Sequence, residues 1–135
     1  MGNEYSIRGP VDCYFLGQQQ LFCSFQFNFV PRADAYRIQL VRLKDDREAP
    51  PEAIAWEHVP ASQRGVLPFN ERLLAAGQTY AFRLMTSGCL AELQATSASF
   101  VVRDRQEELA STVRSAMKQV RDDVQQERAA HRELI

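Results

Sequence analysis

The sequence predicts a mainly β protein, in which an antiparallel sandwich of about seven short strands is followed by one long C-terminal α-helix. From residue 11 to about 102, apolar and polar residues alternate, and turn residues recur about every ten to fifteen positions. This rhythm is typical of β-sandwiches. The stretch 104–134 contains neither glycine nor proline and is rich in good helix formers. We therefore expect two parts, a sandwich over residues 1–102 and an amphipathic helix over residues 103–135.

The clearest strand is the aromatic segment 21–29. Its apolar residues occupy every second position: Leu21, Cys23, Phe25, Phe27 and Phe29. Period two with one apolar face predicts a half-buried strand. In segment 35–43, the same alternation predicts that Tyr36, Ile38 and Leu40 face the core. The other predicted strands are 11–16, 54–59, 65–69, 79–85 and 98–102.

The segment 74–84 reads LAAGQTYAFRL, with Leu, Gly, Tyr, Phe and Arg at spacings that match a known corner motif. It resembles the stretch of fibronectin type III domains that leads into strand F, which that family writes Leu-x-Pro-Gly-Thr-x-Tyr-x-Phe-Arg-Val. The resemblance implies that Tyr80 is a corner tyrosine, whose hydroxyl bonds back to the backbone of the corner.

The wider run 35–85 is similar to bacterial surface-associated fibronectin-like domains, in which a strand bearing a tryptophan precedes the same corner. The similarity implies an immunoglobulin-like or fibronectin-like sandwich and says little about function. The chain departs from that family in several places. In the corner motif, Ala76 replaces proline and Gln78 replaces threonine. A phenylalanine series replaces the usual strand-B tryptophan, and the C-terminal helix is not part of the family domain.

The predicted helix carries an apolar stripe. Leu109, Val113, Ala116 and Val120 follow the 4-3-4 spacing of a helical seam, and two further residues widen it, Met117 and Val124. Basic and acidic residues are balanced along the helix, which indicates a solvated face and not a nucleic-acid contact. The sequence leaves open whether the helix folds back on the sandwich or pairs with another helix.

The net charge of the chain is -1, which argues against nucleic acid or an anionic membrane as the partner. No apolar run approaches the roughly 20 residues that a membrane span needs. The N-terminus lacks the basic start and apolar run of a signal peptide. These features favour a cytoplasmic location, while a mature exported domain is left open.

Three cysteines, an odd number, do not form a disulfide framework: Cys13, Cys23 and Cys89. One reading is three free thiols in a reducing compartment. The other is a single bridge between two of them in an oxidising compartment.

Residues for catalysis are few. His58 could act as a base, and Cys23 or Cys89 could form a nucleophile pair with it. Cys23 points to the apolar face of its strand, where burial raises the pKa of a thiol and does not activate it. No phosphate-binding loop or metal-ligand spacing is present in the sequence. We therefore expect neither an enzyme nor a bound cofactor or metal.

The sequence favours an interaction or assembly module whose helix mediates self-association or docking to a protein partner. The six apolar residues of the helix would form that contact. The first alternative is an accessory domain that binds a carbohydrate or another ligand, with Trp56 and Tyr36 as stacking platforms. The second is an enzyme that uses His58 and a cysteine.

Overall fold

The computed structural model describes residues 4–18, 20–32, 35–45 and 48–133. The chain divides into two compact units, Met1–Arg103 and Asp104–Ile135. In its described part, the first unit contains nine strands: β1 (Tyr5–Arg8), β2 (Asp12–Phe15), β3 (Leu21–Phe27), β4 (Tyr36–Leu43), β5 (Glu52–His58), β6 (Arg64–Phe69), β7 (Thr79–Thr86), β8 (Leu93–Thr96) and β9 (Phe100–Arg103). A 3₁₀ turn, Glu71–Leu73, follows β6. The second unit contains helix α1 (Arg105–Glu133).

Each predicted strand corresponds to an observed one, with its ends shifted by a few residues, and two strands are additional. The additional strands, β1 and β8, have four residues each. In β1 only Ile7 is buried, and in β8 no side chain is fully buried. Their sequences, YSIR and LQAT, lack the apolar runs that indicated β2 and β9, which are equally short.

The strands form two sheets. The smaller sheet is antiparallel, in the order β1-β3-β6. The larger sheet has the order β2-β9-β7-β4-β5, and β8 also pairs with β7. Strands β2 and β9 are parallel, so this sheet is mixed and the prediction of a wholly antiparallel sandwich is wrong at this pair. Alternation within a strand reports which face is buried, but it carries no information on which strand lies beside it or in which direction.

The two sheets share one hydrophobic core. From the smaller sheet, β3 contributes Leu21, Cys23, Phe25 and Phe27, which are all buried, as the alternation predicted. From the larger sheet, Phe82 packs against Phe69 of the smaller one, with ring centroids 5.0 Å apart. Burial of each large apolar side chain contributes roughly 1.5–3 kcal/mol, so these rings hold the sheets together.

The corner before β7 has the bond that the resemblance of segment 74–84 implied. Gly77 adopts a positive φ of 85°, which suits glycine because it has no Cβ. The Tyr80 hydroxyl accepts a hydrogen bond from the Ala75 N–H at 2.9 Å, and Leu74 is buried in the core. The tyrosine therefore ties the start of β7 to the loop that precedes it.

A second tie connects β2 to the 3₁₀ turn. The Tyr14 hydroxyl donates to Oε2 of Glu71 at 2.7 Å, and the Gly17 N–H donates to the same oxygen at 3.2 Å. Burial, together with the bond to Glu71, raises the pKa of Tyr14 above its ordinary value. This bond thus depends on a neutral tyrosine.

Helix α1 has a polar cap at its N-terminus. Oδ1 of Asp104 accepts from the Gln106 N–H at 3.0 Å and from the Glu107 N–H at 3.3 Å. Asp104 satisfies donors that have no partner within the helix, and the acidic first turn complements the helix dipole. Arg103 ends β9, so α1 begins at Arg105, two residues later than predicted. Residues 134 and 135 of the predicted helix lie outside the described residues.

Among the residues that the structure describes, no helix combines the length and the apolar character that crossing a membrane requires.

Candidate interaction surfaces

The six apolar residues predicted as a seam lie on one side of α1, and we call them the apolar stripe: Leu109, Val113, Ala116, Met117, Val120 and Val124. All six are exposed, and the five large side chains keep between 41% and 65% of their surface accessible. Monomeric proteins rarely expose a contiguous apolar surface without a use for it. The stripe is therefore the first candidate site.

Charged residues flank the stripe in a regular way. Arg114, Arg121 and Arg128 recur every seven residues and lie along one flank. Asp123 lies on the other flank, where its Oδ1 accepts a hydrogen bond from Nε2 of Gln119 at 3.2 Å. Residues seven apart in a helix stand nearly above one another, so the arginines form a row parallel to the stripe.

A second candidate lies on the outer face of the larger sheet, and we call it the tryptophan face. It consists of two cross-strand rows, which are His58, Arg37 and Met85 in the first and Trp56, Gln39 and Arg83 in the second. The Arg37 guanidinium carbon lies 5.9 Å from the centroid of the Trp56 ring. The His58 ring meets the Trp56 ring edge to face at 4.8 Å.

Tyr36, the other predicted stacking residue, lies on the opposite face of the larger sheet from Trp56. Its ring contacts Phe27 at 5.0 Å, and its hydroxyl is hydrogen-bonded to that of Tyr5 at 3.3 Å. The structure does not bring Tyr36 and Trp56 together. The two residues belong to different strands, and only the pairing of β4 with β5 decides which side chains share a face.

Apart from His58, the neighbours of Trp56 on this face were not singled out in the sequence. The alternation of β4 and β7 places Arg37, Gln39 and Arg83 on the outward side, which is the available sequence signal. Their adjacency to Trp56 follows from strand register, which the sequence pattern does not contain.

The candidate catalytic residues lie in different environments. Cys23 is buried in the core, and burial raises the pKa of its thiol to about 12, so it is not a thiolate at neutral pH. Cys89 is exposed, and all three thiols are free. His58 belongs to the tryptophan face. Within the described parts of the chain, no group of three or more His, Cys, Asp or Glu side chains is placed to hold a metal ion.

No protein-family model matches the chain, and neither does any curated protein. Solved structures that are similar to it include superoxide reductase (neelaredoxin) from Ignicoccus hospitalis and two single-substitution variants of that protein. Each is 13% identical to this chain, and the match covers 76% of this chain and 81% of the other. The TM-score is 0.37 for two of these structures and 0.38 for the third.

These findings correct two predictions. The assignment to the fibronectin type III or immunoglobulin-like sandwiches is wrong, because no family model supports it and the similar structures are superoxide reductases. The prediction that the chain is not an enzyme is contradicted by the same structures, which are named as reductases. A TM-score of 0.37 carries no activity over to this chain. The structure itself shows a mainly β protein with one antiparallel sheet, one mixed sheet and one C-terminal helix.

Proposed function

We propose that this protein is an assembly module whose helix α1 pairs with α1 of a second copy of the chain. The observation that carries the proposal is the exposed apolar stripe. These valine, leucine and methionine side chains are exposed to water. Covering them with a second apolar surface lowers the free energy by roughly 25 cal/mol per Å². A second copy offers a surface of the same shape and spacing.

The spacing within the stripe supports a coiled-coil register. Val113, Met117, Val120 and Val124 follow a 4-3-4 pattern and fit heptad positions d, a, d and a. This register uses the larger side chains at the centre and places Ala116 at a flanking g position. In the seam that runs through Leu109, Val113, Ala116 and Val120, by contrast, Ala116 and not Met117 is a core residue.

The flanking charges favour a parallel pair. In this register Arg114, Arg121 and Arg128 occupy e positions, and Asp123 occupies a g position. In a parallel pair, g of one helix faces the e position five residues later in its partner, so Asp123 meets Arg128 of the second copy twice by symmetry. In an antiparallel pair e faces e, which would set the rows of arginines against each other.

The apolar stripe is short, so we expect weak association. Two heptads of core bury less surface than the roughly 1,200 Å² of a stable interface. The pair should therefore form and dissociate with concentration in the micromolar range or above. Such weak pairing suits a module whose helices associate only when copies of the chain are held close together.

The test is the solution mass of the full chain, measured by light scattering over a range of concentrations, for the wild type and for Val113→Asp/Val120→Asp. We expect the wild type to approach the dimer mass with rising concentration and the variant to remain monomeric. The matched control is Ser115→Asp/Gln126→Asp, which adds the same charge on the opposite side of α1 and should leave association unchanged.

Two results would overturn the proposal. One is a wild-type monomer mass at all concentrations, in which case a different protein must cover the stripe. The other is association that survives the Val113→Asp/Val120→Asp change, which would place the contact elsewhere in the chain.

A further inference from the structure

The tryptophan face combines an exposed aromatic ring with positive charge. Trp56 is 52% exposed although Arg37 and His58 both contact its ring. The ring therefore offers apolar surface to a molecule in solution. Exposed tryptophan rings provide flat surfaces on which the rings of ligands stack.

The two arginines of this face have donors without a partner. Nε of Arg37 and Nε of Arg83 are both buried, and neither donates to an acceptor among the described residues. Nη2 of Arg83 donates to Oε1 of Gln39 at 3.2 Å, which orients that guanidinium on the sheet. A buried donor without an acceptor costs about 1–3 kcal/mol, so these two guanidinium groups are incompletely satisfied by the described part of the chain.

No acidic residue belongs to either row of the face. Arg42 belongs to β4, as Arg37 does, and it forms an ion pair with Glu52 of β5. Arg37 and Arg83 have no such ion pair with a described residue. Their charges are therefore available to an anionic ligand.

The spacing of the strands sets the size of that ligand. Trp56, Gln39 and Arg83 occupy three neighbouring strands, which are about 4.8 Å apart in a sheet. Arg37 lies diagonally from Arg83 on the middle strand, beside the tryptophan. A ligand that covers the face therefore needs a ring over Trp56 and anionic groups over the next two strands.

We propose that the tryptophan face binds an acidic oligosaccharide, with one sugar ring stacked on Trp56 and carboxylates held by Arg37 and Arg83. His58 supplies a hydrogen-bonding group for the sugar hydroxyls, and Gln39 orients Arg83. Arginine suits carboxylates because its planar guanidinium presents paired donors to the two carboxylate oxygens. This site is distinct from the apolar stripe and does not depend on pairing of α1.

The test is titration of the full chain with trigalacturonic acid, followed through the fluorescence of Trp56, the single tryptophan of the protein. Two other probes separate the parts of the proposal, maltotriose as a neutral sugar and tricarballylic acid as an anion without a ring. We expect saturable binding of trigalacturonic acid that weakens with added salt, and at least tenfold weaker binding of the other two.

Substitutions then locate the site. Arg37→Ala and Arg83→Ala should each weaken binding of trigalacturonic acid by about tenfold or more. Arg37→Lys, which keeps the charge and loses the planar donor pair, should also weaken it. Trp56→Ala, measured by calorimetry, should weaken it more than Trp56→Phe does. The matched control is Arg64→Ala, which removes an exposed arginine from β6 in the other sheet and should leave binding unchanged.

Any of three results would overturn the inference: no binding of trigalacturonic acid at millimolar concentration, equal binding of tricarballylic acid, or equal weakening by Arg64→Ala and Arg37→Ala. The last two would reduce the effect to general attraction of anions. The Val113→Asp/Val120→Asp variant should bind as the wild type does, which keeps this test separate from that of assembly.

Discussion

The two units of the chain place the same residue types in opposite environments. In the strand unit, Val41 and Val102 are fully buried, whereas in the helix unit Val113 and Val120 are 55% and 62% exposed. The strand unit covers its apolar surface with its own second sheet. The helix unit contains one element, and a single helix has no partner within itself to cover a stripe. The core side chains of the strand unit are therefore covered within their own unit, whereas the apolar stripe of the helix unit is left exposed.

The largest test of this contrast compares a core residue with a stripe residue. Phe82 is fully buried and packs against Phe69 and Phe100. Phe82→Ala should lower the free energy of unfolding by about 3–5 kcal/mol, since it removes transfer energy and leaves a cavity. Met117→Ala should change it by less than about 0.5 kcal/mol at low protein concentration.

Urea denaturation, followed by circular dichroism, measures both values. Equal losses for the two variants would contradict the contrast, as would a loss below about 1 kcal/mol for Phe82→Ala.

A smaller effect concerns alkaline pH and belongs to the strand unit. Burial and the bond to Glu71 raise the pKa of Tyr14 in the folded state, so its neutral form stabilises the fold. The contribution is complete below the unfolded pKa of about 10 and is lost as the pH rises toward the folded pKa. We expect the free energy of unfolding to fall above about pH 10, and less steeply in Tyr14→Phe.

Tyr5 should add to the pH dependence of the free energy of unfolding, because burial and its bond with Tyr36 raise the pKa of Tyr5 to about 12. Unfolding measured at several pH values for the wild type, Tyr14→Phe and Tyr5→Phe separates the two contributions. Identical slopes in the wild type and Tyr14→Phe would show that the Tyr14 hydroxyl does not contribute.

The smallest effect sharpens the proposal for the helix unit. Arg128→Asp would place two acidic residues opposite each other in the parallel pair and should weaken association by about three- to tenfold. The double change Asp123→Arg/Arg128→Asp restores opposite charges and should return the affinity to within about twofold of the wild type. Sedimentation equilibrium at low salt is the measurement. Failure of the double change to recover affinity would argue against the parallel register.

Much of the strand unit follows from residue patterns. The alternation in β3 predicted which side chains enter the core, and the resemblance of segment 74–84 to a fibronectin corner implied the bond from Tyr80 to the backbone. Residue patterns did not predict β1 and β8, because these four-residue strands lack the apolar runs that indicated β2 and β9. The corner also suggested the fibronectin type III family, and that assignment is wrong. A local motif of eleven residues does not fix how the strands of a sheet are connected.

The sequence by itself determined the local character of several elements: the buried side of β3, the corner at Tyr80, and a C-terminal helix with its stripe of apolar residues. These depend on neighbours within a few positions along the chain. Only the tertiary structure decided the parallel pairing of β2 with β9 and the assembly of Trp56, Arg37 and Arg83 on one face. Strand order and register bring together residues far apart in sequence, and the period of a single strand is the same for every partner it could have.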